Sequence, residues 1–317
     1  MSPVNGTIEI KTSVNVHMLK DMREIDLQEA LVTPEHTLWR MDNPSAEMLD
    51  LLSERFALDE LHIKDICNPI HPPHFTRLEN GAMHIILRFP VEKETEDEAS
   101  EVTSVSILVD SDMCALIWPD KRFHRFTSSD LKGLNVDECA SKIIHMLVDY
   151  LLSRVYLLRE VMDEFEEECL ANVSNADLGK LLTMRKEMAI LARHARINAI
   201  AIEKLMADPA YKENIRLTDA HEHMNRATGI AELKAEHALN VMQAAQSLLS
   251  QRLNEVMTFL AVITVVLTPM GIIAGIFGMN FTHMEVLGHP YGFALSVWGM
   301  LLLGAMLAAF FRFKKWW

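Results

Sequence analysis

The sequence predicts an α+β membrane protein: a cytosolic α/β domain first, a long helical stalk next, and two transmembrane helices in the C-terminal part. Three observations predict it. Strand-like and helix-like stretches alternate through residues 1–136, helical spacing then takes over, and the C-terminal region holds two long uncharged runs.

In residues 1–136 the strand-like stretches are Ile8–Ile10, Thr37–Met41, Ala82–Val91, Val102–Val109 and Met113–Trp118, rich in Ile, Val and Leu. Between them, Ala46–Ala57 and Asp59–Cys67 carry helical apolar spacing. The proline-rich stretch Asn68-Pro-Ile-His-Pro-Pro-His74 is a turn, and the acidic stretch Glu92–Glu101 reads as a hairpin loop.

Residues 137–255 form the stalk. Ile143, Leu147, Leu151, Val155, Leu158, Met162 and Phe165 step by fours and threes along one helical face. The acidic stretch Asp163–Glu168 reads as a solvated helix tip that collects cations only diffusely. Ser174-Asn-Ala-Asp177 resembles a capping box and starts a second helix, which Asp208-Pro209 ends after about Met206. A third helix begins near Thr218 and meets no proline before Pro269, a run of about 75 Å. So long a helix is not stable alone, and symmetry copies are its natural partners.

Residues 256–317 form the membrane part. Val256–Phe277 and Gly292–Phe311 contain no charged residue, and each is long enough to span the hydrocarbon core as a helix. Arg252 precedes the first span, and Arg312, Lys314 and Lys315 follow the second. The intervening loop, 278–291, has neither Lys nor Arg, so both termini are expected on the cytoplasmic side. Trp316 and Trp317 belong at the inner interface of the bilayer.

The formal net charge of −14 argues against nucleic acid as a partner and suits a protein that gathers cations, although acidity also simply confers solubility. Cys67, Cys114, Cys139 and Cys169 are widely spaced, as reduced cytosolic thiols are. Met1-Ser-Pro-Val-Asn-Gly has no basic patch leading into an apolar run, so no cleavable signal is expected. The chain carries no phosphate-cradling glycine loop, nucleophile elbow or HExxH, which leaves an enzyme reading without residues.

The first span carries a further pattern. Asn254, Met257, Ala261, Thr264, Thr268, Gly271, Gly275 and Gly278 are spaced 3, 4, 3, 4, 3, 4, 3, a heptad seam of mostly small or polar residues on an otherwise apolar helix. Such a seam is either a close helix–helix contact or the lining of a narrow water-filled path. Asn254, whose amide wants polar partners, tilts the balance to the path. One helix cannot enclose a path, so several copies are required. In Asp219-Ala-His221-Glu222-His223, Asp219 and His223 share a face at i, i+4, a spacing that can hold a regulatory metal. Two ligands do not make a site, and the favoured reading is a solvated helix start with Asp219 complementing the helix dipole.

The first span closes in Gly278-Met279-Asn280 after the run Asn254-Glu-Val-Met257 and a mid-span proline, Pro269, with a second span and a basic-aromatic tail behind it. This arrangement resembles the CorA family of divalent metal-ion transporters, and the order of the soluble elements agrees. The stretch Asp59–Asn80 also resembles the family's short helix, proline turn and strand. The resemblance implies a funnel-shaped homopentamer in a bacterial-type inner membrane, with divalent cations as substrate and as regulatory ligands and no other cofactor. It makes Gly278, Met279 and Asn280 the outer selectivity ring, the seam the pore lining, and Leu260 or Met257 a hydrophobic gate. Magnesium is the family default, with Co²⁺ and Ni²⁺ expected to pass. In the outer loop Met284 and Glu285 stand where magnesium members carry Met-Pro-Glu-Leu, without the proline, and His283 and His289 are present. Histidine ligates transition metals, which keeps the family's zinc-transporting branch as the alternative. A non-conducting membrane-anchored scaffold is the other alternative, which the intact triplet argues against.

Overall fold

The computed structural model describes residues 13–20, 22, 24–25, 36–91, 101–119, 131–173, 176–279 and 289–314. The predicted strand Ile8–Ile10, the acidic loop and the tail residues Lys315, Trp316 and Trp317 lie wholly or mainly outside these. Contacts divide the chain into two compact units, Met1–Glu168 with Asp177–Asn240, and Cys169–Ala176 with Val241–Trp317.

The first unit is built on a seven-stranded sheet. Its strands are β1 (Ser13–Met18), β2 (Glu24–Ile25), β3 (Thr37–Asp42), β4 (His74–Arg77), β5 (Met83–Pro90), β6 (Val102–Val109) and β7 (Met113–Trp118). They lie in the order β2-β1-β3-β7-β6-β5-β4, antiparallel except for the β3–β7 pair. In that pair Trp39 lies opposite Ala115 and Met41 opposite Ile117. Helices α1 (Ala46–Phe56) and α2 (Glu60–Cys67) bury Met48, Leu52, Phe56 and Ile66 in one cluster with these four residues. Each helix opens on the side chain of its own cap: Ser45 accepts from Met48 N, and Asp59 from His62 N.

Alternation sends Leu38, Cys114 and Leu116 to the other face of the sheet. There the Cys114 thiol hydrogen-bonds Cys139 of helix α3 (Val136–Ala171), a contact that, with burial, holds the Cys114 thiol well above its usual range. Helix α3 starts in a reciprocal cap: Asn135 accepts from Glu138 N, and Glu138 accepts from Asn135 N. Helix α4 (Leu178–Met206) packs on β4 and β5. Strand β4 pairs only with Met83–Ile86, so Arg88 extends beyond it. The Asn198 carboxamide takes both free backbone groups, accepting from Arg88 N at 2.9 Å and donating to Arg88 O at 2.7 Å. A buried strand edge is thereby satisfied by one side chain.

Helix α5 (Ile215–Phe277) runs parallel to α3 through the first unit. A ladder of polar pairs joins α3 to α5 and the turn before it: Asp137 with Tyr211 of the turn, then His145 with Asp219 and Asp149 with His223, each 74 residues apart in sequence. Further along, Asp163 and Glu166 bind Lys234, and Glu166 also meets His237. Along α5, Ala220, Ala227, Ala231 and Ala238 are fully buried.

Three expectations change. The acidic stretch is solvated at Asp163, Glu164, Glu167 and Glu168 as expected, but Glu166 is buried against Lys234, and the stretch is not the tip, since α3 continues to Ala171. The cap of α4 is Asp177 itself, whose carboxylate accepts from Lys180 N at 3.0 Å, and Ser174 lies outside the described residues. Helix α5 starts at Ile215, three residues before Thr218, because Asn214 accepts from Arg216 N and Leu217 N and opens it. Strands β1, β2 and β4 were not foreseen by apolar pattern.

Candidate pore and metal-binding residues

The second unit contains the C-terminal part of α5 and helix α6 (Gly292–Phe313), both long and apolar enough to cross a membrane. Their mutual contact is set by one glycine. A Cβ on Gly304 of α6 would fall 2.9 Å from Met270 Sδ and 3.9 Å from Val266 Cγ1. Val262, one turn before Val266, is buried as well. These residues define the face of α5 that α6 covers.

The seam lies elsewhere. At roughly 100° per residue, Met257, Ala261, Thr264, Thr268, Gly271, Gly275 and Gly278 centre roughly 160° around the helix from Val266 and Met270. Asn254 and all seven of these are exposed, as is Leu260. A Cβ added at Gly271 or Gly275 would meet nothing within 4 Å. Within one chain, therefore, these small residues serve no close contact between its own two spans. Thr264 donates to Leu260 O at 2.8 Å and Thr268 to Thr264 O at 2.7 Å, which ties both hydroxyl hydrogens into the helix.

The helix tightens as it ends. Gly278 N donates to Ala274 O at 3.0 Å and Met279 N to Ile276 O at 3.2 Å. Met279 is about half exposed. Asn280, His283 and Glu285 lie outside the described residues. His289 is described: its carbonyl accepts from Gly292 N at 2.9 Å, and with Ala274, Phe277, Gly278 and Phe293 it lines a groove between the ends of the two spans.

Asp219 and His223 sit in the first unit, where helix α3 brings two residues to them that sequence spacing alone did not single out. His145 Nε2 lies 2.6 Å from Asp219 Oδ2, and its Nδ1 lies 3.0 Å from Asp149 Oδ2. His223 Nδ1 lies 2.8 Å from Asp149 Oδ1, and its Nε2 3.6 Å from Asp219 Oδ1. Hydrogen bonding to His145, reinforced by the charges of His223, His145 and Arg226, holds the Asp219 carboxyl below the usual carboxylate range. The signal available in sequence was the mirror spacing: His145-x₃-Asp149 on one helix and Asp219-x₃-His223 on the other.

Comparison with known proteins gives a consistent relationship. The model of the family described as CorA-like Mg²⁺ transporter protein matches residues 36–315. The cobalt/magnesium transport protein CorA of Thermotoga maritima is 22% identical over 290 residues, covering 85% of this chain and 80% of that protein. The complete structure of the CorA magnesium transporter from Methanocaldococcus jannaschii superposes with a TM-score of 0.79 at 18% identity, covering 96% of this chain and 98% of that one. The ZntB cytoplasmic domain from Vibrio parahaemolyticus superposes with a TM-score of 0.59 at 13% identity, over 76% of this chain and 98% of that one.

Proposed function

Since the chain belongs to the CorA-like Mg²⁺ transporter family, we propose that it is the subunit of a homopentameric channel that moves Mg²⁺ across the inner membrane, with both termini cytoplasmic. The observation that carries the reading is the exposed seam of α5, which faces away from the span's only described helical neighbour in the chain. Five such seams around an axis enclose a path. Its polar groups are oxygen donors, Asn254, Thr264 and Thr268, which suit a hard or hydrated cation. Met257 and Leu260 form the hydrophobic constriction at the cytoplasmic end. Gly278, Met279 and Asn280 form the outer ring, where five Asn280 carboxamide oxygens accept hydrogen bonds from the waters of a hydrated ion. No carboxylate in that ring traps it, so the ion binds weakly enough to leave. Mg²⁺ sheds water reluctantly, and a ring that reads the hydrated ion avoids that cost. An inside-negative potential supplies on the order of 4.6 kcal/mol per 100 mV for a divalent charge. The names of the relatives support magnesium and cobalt as cargo.

The test is uptake into proteoliposomes with Mg²⁺, Co²⁺, Ni²⁺ and Zn²⁺ each alone, with and without a membrane potential, alongside mass measurement in detergent. We expect a pentamer, potential-driven Mg²⁺ flux with Co²⁺ and Ni²⁺ also passing, and loss of selective uptake in Asn280→Ala with assembly intact. A monomer or dimer, or no flux of any ion, overturns the channel. Zinc flux without magnesium flux overturns the ion, and its loss in His283→Ala/His289→Ala would place the cause in the outer loop.

A further inference from the structure

Two imidazoles and two carboxylates meet between α3 and α5, and their contacts are not interchangeable. Asp149 faces the Nδ1 atoms of both rings, at 3.0 Å from His145 and 2.8 Å from His223, one ring to each carboxylate oxygen. An ionised carboxylate only accepts, so Asp149 draws the Nδ1 hydrogen of His223 to itself, whereas the hydrogen bond of His145 runs from Nε2 to Asp219 and its Nδ1 faces the other Asp149 oxygen. His223 is then left with its lone pair on Nε2, and a metal ion taking the place of the Nε2 hydrogen of His145 would leave that ring's N–H on Nδ1, facing Asp149. Both Nε2 atoms point to the same place, beside Asp219, at 2.6 Å and 3.6 Å from its two oxygens. The longer of these exceeds a hydrogen bond.

His145, His223 and Asp219 each offer a ligand atom, and these atoms lie within 4.8 Å of one another. Four-coordinate bonds of about 2.0–2.2 Å place neighbouring donors roughly 3.3 Å apart, so small side-chain shifts close the set on one ion. Metal-bound histidines commonly donate their second ring nitrogen to a carboxylate, which fixes tautomer and orientation; Asp149 is placed to do that for both rings once metal replaces the Nε2 hydrogen of His145. The two histidines are partly buried, with side chains 19% and 21% exposed, so the position is held by the helices yet open to solution.

We propose that His145 Nε2, His223 Nε2 and Asp219 bind one transition-metal ion of the borderline class, Zn²⁺, Co²⁺ or Ni²⁺, in each chain, and that Asp149 is the positioning residue that sets both rings. Two imidazole nitrogens and one carboxylate select against Mg²⁺, which takes oxygen donors in octahedral geometry. The fourth position is left to water. Bound metal joins α3 to α5 within the first unit. The inference goes beyond transport and does not require it.

The experiment uses the full chain in detergent, stripped with EDTA, and titrates ZnCl₂, CoCl₂ and MgCl₂ by calorimetry, with visible absorption for Co²⁺. Because the proposed pore also meets cations, the quantity read is the difference between wild type and His145→Asn/His223→Asn. We expect one fewer Zn²⁺ equivalent per chain in the double variant, with loss of the ligand-field band of Co²⁺. Asp149→Asn should keep the equivalent but weaken it by about 10- to 100-fold. Zn²⁺ should raise the melting temperature of wild type and not of the double variant. Equal stoichiometry in both proteins overturns the site; Mg²⁺ displacing Zn²⁺ at equal concentration overturns the ion class; unchanged affinity in Asp149→Asn overturns the positioning role. Asp219→Asn is the second ligand variant, should the double variant melt below assay temperature in EDTA. Asn280→Ala, which removes the proposed filter, must retain the Zn²⁺ equivalent, so failure of the transport reading and failure of this one give different results.

Discussion

Gly304 of α6 leaves room for Met270 of α5: a methyl group at 304 would come within 2.9 Å of the Met270 sulfur. The sulfur sits near the far end of a flexible side chain, so a single methyl can be accommodated. A branched or longer residue cannot. Gly304→Ala should therefore be tolerated, and Gly304→Leu should lower the melting temperature of the detergent-solubilised protein. Met270→Ala added to Gly304→Leu should recover part of the loss. Additive effects in that double-mutant cycle would show that the two positions are independent.

Gly275 makes the opposite prediction. A Cβ there meets nothing within 4 Å among the described residues, and replacing a helical glycine by alanine favours the helix by about 1 kcal/mol. A lone chain would gain from Gly275→Ala. In the proposed pentamer the same position lines the path, so Gly275→Leu should lower ion uptake several-fold while far-ultraviolet circular dichroism stays unchanged. Wild-type uptake from Gly275→Leu would take the seam out of the path.

The Lys234–Glu166 pair is buried on both sides, with side chains 6% and 5% exposed. Lys234→Met leaves Glu166 buried beside Asp163 without its cation, and should destabilise the first unit by roughly 3–5 kcal/mol. Glu166→Leu combined with Lys234→Met removes both charges and should restore most of the loss. Denaturant titration of the three variants distinguishes a necessary ion pair from a merely satisfied one.

His84 gives a pH dependence. Its ring is fully buried on β5 with neither nitrogen hydrogen-bonded. Burial, and then the neighbouring His74, His62 and His71, push its pKa down to about 3 from 6.5. The folded state therefore stays neutral at this site while the unfolded state takes up a proton below about pH 6.5. Stability is complete above that value and falls as pH drops towards 3, at up to about 1.4 kcal/mol per pH unit. His84→Leu should flatten this acid limb in melting temperatures measured from pH 7 to pH 4. An unchanged slope would assign the limb to other groups.

What the sequence made legible follows from the range of the interactions. Strands β6 and β7, the C-terminal end of α4 and two apolar helical stretches long enough to cross a membrane were readable because continuous apolar runs, prolines and missing charges are local signals. Strand β4 was implied only by the family resemblance and hidden from apolar pattern, because His74-Phe-Thr-Arg77 is short and polar, follows a proline turn, and takes its conformation from β5. The seam was visible as spacing, and Gly304 adds that α6 of the same chain covers a different face of the helix. Glu166 looked solvated inside an acidic run; its partner Lys234 lies 68 residues away. For the same reason Asp219 and His223 were seen without His145 and Asp149, each 74 residues from its partner.

The two threonine hydroxyls of the seam have a consequence for the sign of what passes. A free hydroxyl serves either sign of ion, turning its hydrogen to an anion or its oxygen to a cation. Thr264 and Thr268 have already committed their hydrogens to Leu260 O and Thr264 O within the helix. Only oxygen lone pairs remain for the lumen. In the proposed pore the middle of the path is thus a sleeve of electron-rich atoms carrying no formal charge. Chloride finds no donor there, and a cation finds acceptors too weak to hold it.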